Sequence, residues 1–345
     1  MTRRNPARLP ARLQPRRVLV AAAAAAGTIT CLLAVAPVHA QAGGASGYPN
    51  RPIRLIVPFP PGGGNDILAR SVATRLAEIV GQQVVVDNRG GAGGLIGATT
   101  AAQATPDGYT LMLASLGNLV VNPALQAKPP YDPVRDYAPV TLLATSYFLA
   151  AIHPSLPAKN VQEFIALAKA KPGAMNYGSS GVGSSVHLTG EMFRFLAGID
   201  IVHIAYKGTG PALTDLIGGQ VQLVIPPYPS VIGHVRGGRL RALGVSGPKR
   251  VASAPDIPTI AEAGVPGYEV VNWQGIVLPA RTPVAIVQKL NRDLHAAMKI
   301  PGMSESLSAQ GLDPVTGTPE SFGALIKSEA PKYRDLIKRA GIKAD

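Results

Sequence analysis

Cysteine is almost absent from this 345-residue chain. The single one, Cys31, lies in an apolar stretch near the N-terminus, so the rest of the chain has neither disulfide nor thiol chemistry available to it. The residues before it, Thr28-Ile29-Thr30, fit a lipidation site poorly. Metal-binding spacings are missing as well. No H-E-x-x-H or C-x-x-C occurs, and His187, His203, His234 and His295 are scattered, which argues against a metal centre. No G-K-[ST] follows any glycine run, so a Walker-type phosphate loop is excluded. Gly178-Ser179-Ser180-Gly181-Val182 fails the G-x-S-x-G pattern of a nucleophile elbow at its last position.

Acidic residues are absent from the first forty positions, where Arg3, Arg4, Arg8, Arg12, Arg16 and Arg17 precede an alanine-rich apolar run, Val18 to Val35. Val38-His39-Ala40 reads as a small-residue cleavage site, so residues 1–40 are expected to be a removed signal peptide rather than a retained membrane anchor. Arg16-Arg17 also partly matches a twin-arginine export signal. Without the leader, 27 basic residues face 20 acidic ones, a net of +7 where the whole chain carries +13. That remainder is dispersed. It could steer small anions, but it is a poor footprint for nucleic acid.

Thirty-two prolines and 38 glycines are spread among apolar runs, as in a globular chain. The organising stretch is Arg51 to Gln82. Ile53, Leu55, Ile56 and Val57 form a strand pattern cut off by Pro58, Pro60 and Pro61. Gly62, Gly63 and Gly64 follow, Asn65 and Asp66 stand where an N-cap is expected, and Leu68, Val72, Leu76, Ile79 and Val80 recur at helical spacing. Glycines admit close approach to backbone N–H groups, and a helix start leaves such groups unpaired, so the stretch can seat an anion without a charged side chain. The alternative is an ordinary flexible turn with Asp66 as its cap.

Strand and helix signals alternate through the rest of the chain, which predicts α/β layers with a mostly parallel sheet. A second unit repeats the theme. Its strand at Met175–Tyr177 leads through Gly178 to Ser185 into a helix bearing Leu188, Met192, Phe195 and Leu196, with Gly198 as its stop. The apolar runs Val140–Ile152 and Glu269–Leu278 are expected to cross between two domains, drawn as 41–147 plus 273–345 and 148–272. A ligand is expected in the cleft where the two sets of loops face each other. Gly91-Ala92-Gly93-Gly94-Leu95-Ile96-Gly97 has a loose dinucleotide-like spacing, but the ribose-binding acid is missing, so close helix–strand packing explains these glycines better. His187 reads as a polar core residue, with a place in a ligand shell as the alternative, and Trp273 as a packing anchor.

Taken together, several segments resemble one family. They are Tyr48-Pro49 with Arg51-Pro52-Ile53, Pro58-Phe59-Pro60-Pro61-Gly62-Gly63 with Asp66, Asn88-Arg89-Gly90-Gly91-Ala92-Gly93-Gly94, Pro106-Asp107-Gly108-Tyr109, Tyr177-Gly178-Ser179-Ser180-Gly181 with His187-Leu188, Tyr206-Lys207-Gly208, and Pro258-Thr259 with Glu262 and Trp273. The family is that of the tripartite tricarboxylate transporter substrate-binding receptors, the Bug-type periplasmic solute-binding proteins, and the resemblance runs from about Tyr48 to the C-terminus. It implies an α/β periplasmic binding protein fold of two domains with a closing cleft, no catalysis, no cofactor, and a small organic carboxylate held between two loops. Phe59, Gly62, Gly63 and Asp66 match the family's site on one side, and Ser179, Gly181, Gly183, Ser184 and His187 match on the other. Ser115 and Gly117 match a further lining loop, and Tyr206 joins the expected ligand-binding set. Gln222 and Pro226-Pro227-Tyr228 depart from the family, which commonly has acidic or amide residues there. The departure points away from an amino-acid ligand and toward a di- or tricarboxylate or an aromatic acid. The expected partners are that ligand and membrane transporter subunits; the chain is expected to act as a monomer. An exported α/β enzyme using the same loops as an oxyanion site remains the alternative.

Overall fold

The computed structural model describes residues 47–339 and 341–342; the leader expected at 1–40 and Cys31 lie outside the described residues. From the first described residues the chain runs β1 (Ile53–Val57), α1 (Gly64–Val80), β2 (Val84–Asn88), α2 (Leu95–Ala102), β3 (Thr110–Ser115), α3 (Asn122–Leu125), β4 (Tyr137–Tyr147) and β5 (Leu149–Ile152). It continues with α4 (Val161–Ala170), β6 (Asn176–Ser179), α5 (Ser185–Ala197), β7 (Val202–Ala205), α6 (Thr209–Ile217), β8 (Leu223–Val224), α7 (Tyr228–Arg236) and β9 (Arg241–Val245). The last elements are β10 (Val271–Pro279), α8 (Val284–Met298), α9 (Met303–Ala309), β11 (Leu312–Pro314) and α10 (Pro319–Arg339). None of these helices is long and apolar enough to cross a membrane.

The strands form two sheets, ordered β11-β4-β10-β3-β1-β2 and β7-β6-β8-β5-β9. Both are mixed, which corrects the expectation of a mostly parallel sheet. In the first sheet β1 runs parallel to β2 and β3, whereas β10 is antiparallel to β3 and β4. In the second, β6 is parallel to β7 and β8, while β5 is antiparallel to β8 and β9. The reversed strands are β10 and β11 in the first sheet and β5 in the second, and the chain changes sheet where β4 passes into β5 at Phe148 and where β10 returns from the second sheet to the first. Local sequence pattern reveals a strand but not its partner, so the direction of these long-range pairings could not be read from it.

In the first sheet α1 and α2 cover opposite faces of β1 and β3, hence their near-continuous apolar runs. In β3, Leu111 and Leu113 pack with Leu68, Val72 and Leu76 of α1, whereas Met112 and Ala114 belong to the core on the opposite face. α4 begins where Asn160 accepts a hydrogen bond from the Glu163 N–H while Glu163 reaches back to the Lys159 N–H. α5 is capped by Ser184 and stopped by Gly198 in the left-handed region. The cap of α1 differs from expectation. Gly63 holds that position in extended geometry, and Asn65 and Asp66 lie inside the first turn.

Candidate functional site

The loops leaving β1 and β6 each enter a helix, and both helices start at the same place. Gly64 and Asn65 open α1, Ser185 and Val186 open α5, and Thr209 opens α6. First-turn N–H groups have no intrahelical carbonyl to donate to, and the aligned peptide dipoles make each of these ends partially positive. They converge on a narrow crevice lined by Phe59, Gly63, Gly64, Asn65, Ser180, Ser185, Val186, Thr209 and Pro227. Its volume of about 20 Å³ admits roughly one water molecule. No lining residue is charged. Such a site can hold an anion by backbone dipoles and hydroxyls alone.

Asp66 lies behind this wall. One carboxylate oxygen accepts from the Gly62 N–H at 2.9 Å and from Arg70 Nε at 3.0 Å. The other accepts from Asn88 Nδ2 at 2.9 Å, and the same amide also donates to the Phe59 carbonyl at 3.0 Å. Burial alone would push the Asp66 carboxyl up, but the bonds from Arg70, Gly62 and Asn88 outweigh it and hold it below the usual carboxylate range. Asp66 and Gly62 therefore brace the loop that presents Phe59 and Gly63.

The second loop is braced in the same way. Ser179 Oγ accepts from the Gly181 N–H at 3.1 Å and lies 2.6 Å from His203 Nε2. His203 stacks between Tyr177 and His187, with ring centroids 4.9 and 4.2 Å away. The Gly183 N–H donates to His187 Nδ1 at 3.3 Å, and Ser184 Oγ accepts from the His187 N–H at 3.1 Å. Tyr206 donates its hydroxyl to Asp215 at 2.7 Å; burial first, then that bond, push its pKa up to about 12. Thus Ser179, Ser184, His187 and Tyr206 hold their own loops, while Ser180, Ser185, Val186 and Thr209 face the crevice.

Of the twelve residues expected from sequence, the structure brings Phe59 and Gly63 to the crevice wall and puts most of the others in the layer supporting it. Ser115 touches that layer through Asn65 Nδ2, 3.4 Å from its hydroxyl. Gly117 sits so close to the start of α5 that a Cβ there would come within 2.9 Å of the Ser185 nitrogen. Outside the twelve, the crevice is also lined by Gly64, Asn65, Ser180, Ser185, Val186, Thr209 and Pro227. For all but Ser180 the available signal was position: each is at, or one residue outside, the first turn of a helix. Gln222 does not line the crevice: its side chain accepts from the Asn176 N–H at the start of β6, at the opposite end of that strand from the crevice loop.

The glycine loop after β2 also has a larger role than helix–strand packing. Gly97 does pack that way, with a Cβ position only 2.6 Å from the Arg89 carbonyl oxygen. Gly93, however, meets the crevice loop of the other sheet, and a Cβ there would lie 2.3 Å from the Val182 oxygen and 2.9 Å from the Ser184 nitrogen. Asn122 stands beside this contact and donates to the Ala92 carbonyl at 2.7 Å.

Comparison with known proteins agrees with this architecture. The model of the tripartite tricarboxylate transporter family receptor matches residues 68–342. The BugT protein of Bordetella pertussis is 38% identical over 86% of this chain and 91% of its own length. Rpa4515 of R. palustris, solved with adipate, is 36% identical with a TM-score of 0.83, covering 86% of this chain and 99% of its own. MatC of Rhodopseudomonas palustris, solved with bound malate, is 31% identical with a TM-score of 0.81, covering 84% and 100%.

Proposed function

The chain belongs to the tripartite tricarboxylate transporter receptor family, and on that premise we propose that it captures a small organic carboxylate in the crevice between the two sheets. The observation carrying this reading is the convergence of three helix starts on an uncharged crevice. A carboxylate oxygen there meets N–H donors of α1 on one side and of α5 and α6 on the other. Relatives solved with adipate and malate support the ligand class. A space of about 20 Å³ is too small for a whole ligand, so the two halves must part to admit one and close on it. We place the moving unit at 148–272, carried on β4 and β10.

In this reading the protein is exported to the periplasm, acts as a monomer, and hands its ligand to membrane transporter subunits. Thermal-shift measurements with succinate, malate, adipate, benzoate and amino acids test it. At least one acid is expected to raise the melting temperature by several degrees. If none does while a nucleotide or sugar does, the carboxylate reading fails.

One observation favours the enzymatic alternative: Ser179 and His203 form a serine–histidine pair at 2.6 Å. Against it, Ser179 is fully buried, its oxygen also receives the Gly181 N–H, and it does not line the crevice. Covalent labelling of Ser179 by a fluorophosphonate, together with ester hydrolysis lost in Ser179→Ala, would establish the alternative.

A further inference from the structure

A row of buried polar side chains runs from the crevice wall across the first sheet. Asn65, in the wall, reaches Ser115 at the end of β3. Gln274 of β10 stands directly opposite Ser115 in antiparallel register, and opposite residues point to the same face of a sheet. That face is the one carrying Leu111 and Leu113 toward α1. Two residues earlier on the same face of β10 is Asn272, paired with Ser146 of β4. Asn272 Nδ2 and Gln274 Nε2 both donate to the Ser146 hydroxyl, at 3.5 and 3.3 Å.

This leaves a deficit. Asn65 Oδ1, Asn272 Oδ1 and Gln274 Oε1 are buried without a hydrogen-bond partner. Asn272 is 1% exposed and Gln274 fully buried, so bulk water cannot serve these groups. Turning either amide end for end moves its carbonyl onto Ser146 and orphans its NH₂ instead, so each amide keeps an unpaired end in both settings. Buried polar groups are ordinarily paired, and an unpaired one costs free energy until something supplies the bond. Elsewhere on these strands the flanking positions, Ile276, Leu278 and Ala144, are apolar core, so the polar row is a local exception beginning at the ligand crevice.

We propose that this row, above all Gln274 and Asn272, is a specificity subsite for a hydroxyl group on the ligand, so that the receptor prefers hydroxycarboxylates to their deoxy counterparts and to amino acids. The inference rests on the carboxylate reading and deepens it. Helix starts take the carboxylate; the amide row, reached from Asn65 when the cleft opens, takes a neutral group beside it. A hydroxyl both donates and accepts, and so pairs with whichever amide end is orphaned. An ammonium brings a full charge to a buried site with only neutral partners and pays its desolvation. A methylene leaves the amides unpaired.

The test is titration calorimetry with matched probes: succinate against malate, glutarate against 2-hydroxyglutarate, and aspartate and glutamate as the amine counterparts. Each hydroxy acid is expected to bind about fivefold or more tighter than its parent, the effect of pairing an otherwise orphaned buried group. In Gln274→Met, which keeps length and removes the amide, the hydroxyl preference should fall toward unity while succinate or glutarate affinity stays within about twofold of wild type. Asn272→Leu provides a second variant should the first fail to fold, and the wild-type ratios stand without either. Equal affinities for hydroxy and parent acids, tighter binding of the amines, or a preference that survives both substitutions overturns the subsite. If no carboxylate binds at all, it is the receptor reading that fails instead.

Discussion

The contact between Gly93 and the loop at Val182–Ser184 lets closure be tested separately from folding. Gly93 has φ +64°, so alanine there carries left-handed strain of about 1–2 kcal/mol wherever the two halves of the molecule stand. Its Cβ would also lie 2.3 Å from the Val182 oxygen, and this second penalty exists only when the halves are together. Restoring ordinary contact requires the loops to separate by about 1 Å. A hydrogen bond stretched from about 2.9 to about 3.9 Å is no longer one, so a carboxylate bridging α1 and α5 loses partners on one side. Two charge-assisted bonds lost, at about 1.5 kcal/mol each or more, weaken binding by roughly a hundredfold. Gly81→Ala is the matched control: it carries similar strain at φ +69°, with nothing within 4 Å of its Cβ. Both variants should melt a few degrees below wild type. Calorimetry with the tightest of succinate, malate, adipate and benzoate should show the hundredfold loss in Gly93→Ala alone. Wild-type affinity in Gly93→Ala, or an equal loss in Gly81→Ala, would refute the argument that this contact belongs to the bound state.

Three further outcomes follow from the site. Gly63→Val should leave the melting temperature nearly unchanged and abolish carboxylate binding: φ is an ordinary −82° and the nearest atom to a Cβ is Thr209 Oγ1 at 3.9 Å, so the added methyls fill the crevice and little else. Asp66 is held below its ordinary pKa, so its stabilising contribution is full above the unfolded value near 4 and vanishes as pH falls through the folded one. Asp66→Asn should accordingly lower stability at pH 7 by about 1–3 kcal/mol and flatten the acid limb of a melting-temperature profile below about pH 4. Because no charged side chain lines the crevice, raising salt from about 50 to about 500 mM should change the carboxylate dissociation constant by less than about twofold, measurable by calorimetry.

Much of the fold was legible wherever local chemistry decides structure. α4, Val161–Ala170, is marked by local features alone: its apolar spacing and the Pro172-Gly173 stop beyond its end. α7 was missed. Pro227, Pro229 and Gly233 suggest a turn, yet the two prolines fall at the cap and in the first turn, where a missing N–H does no harm. α9 and β11 are too short to carry a period. The antiparallel β10 is set by partners in both flanking strands, far away in the chain. For the crevice, the two loops that meet there were readable and the individual lining residues less so. Ser179, Ser184 and Asp66 look like ligand groups because they are polar and near glycines, but those same properties suit them to cap and brace the loops. The inert-looking Gly64, Val186 and Pro227 form the wall.

Trp273 is the only tryptophan in the chain, and it sits on β10, the strand that returns from the second sheet to the first. It is 2% exposed, lies edge-on to Phe322 with centroids 5.6 Å apart, and its indole N–H is buried without an acceptor. An indole so shielded emits at short wavelength, and light excited at the red edge reports this one site with no competing fluorophore. Its neighbours in the sequence, Asn272 and Gln274, project from the opposite face of the strand into the polar row. The molecule therefore carries a built-in optical gauge one peptide bond from the proposed subsite, and rearrangement of β10 on ligand capture can be followed by stopped-flow emission without attaching any dye.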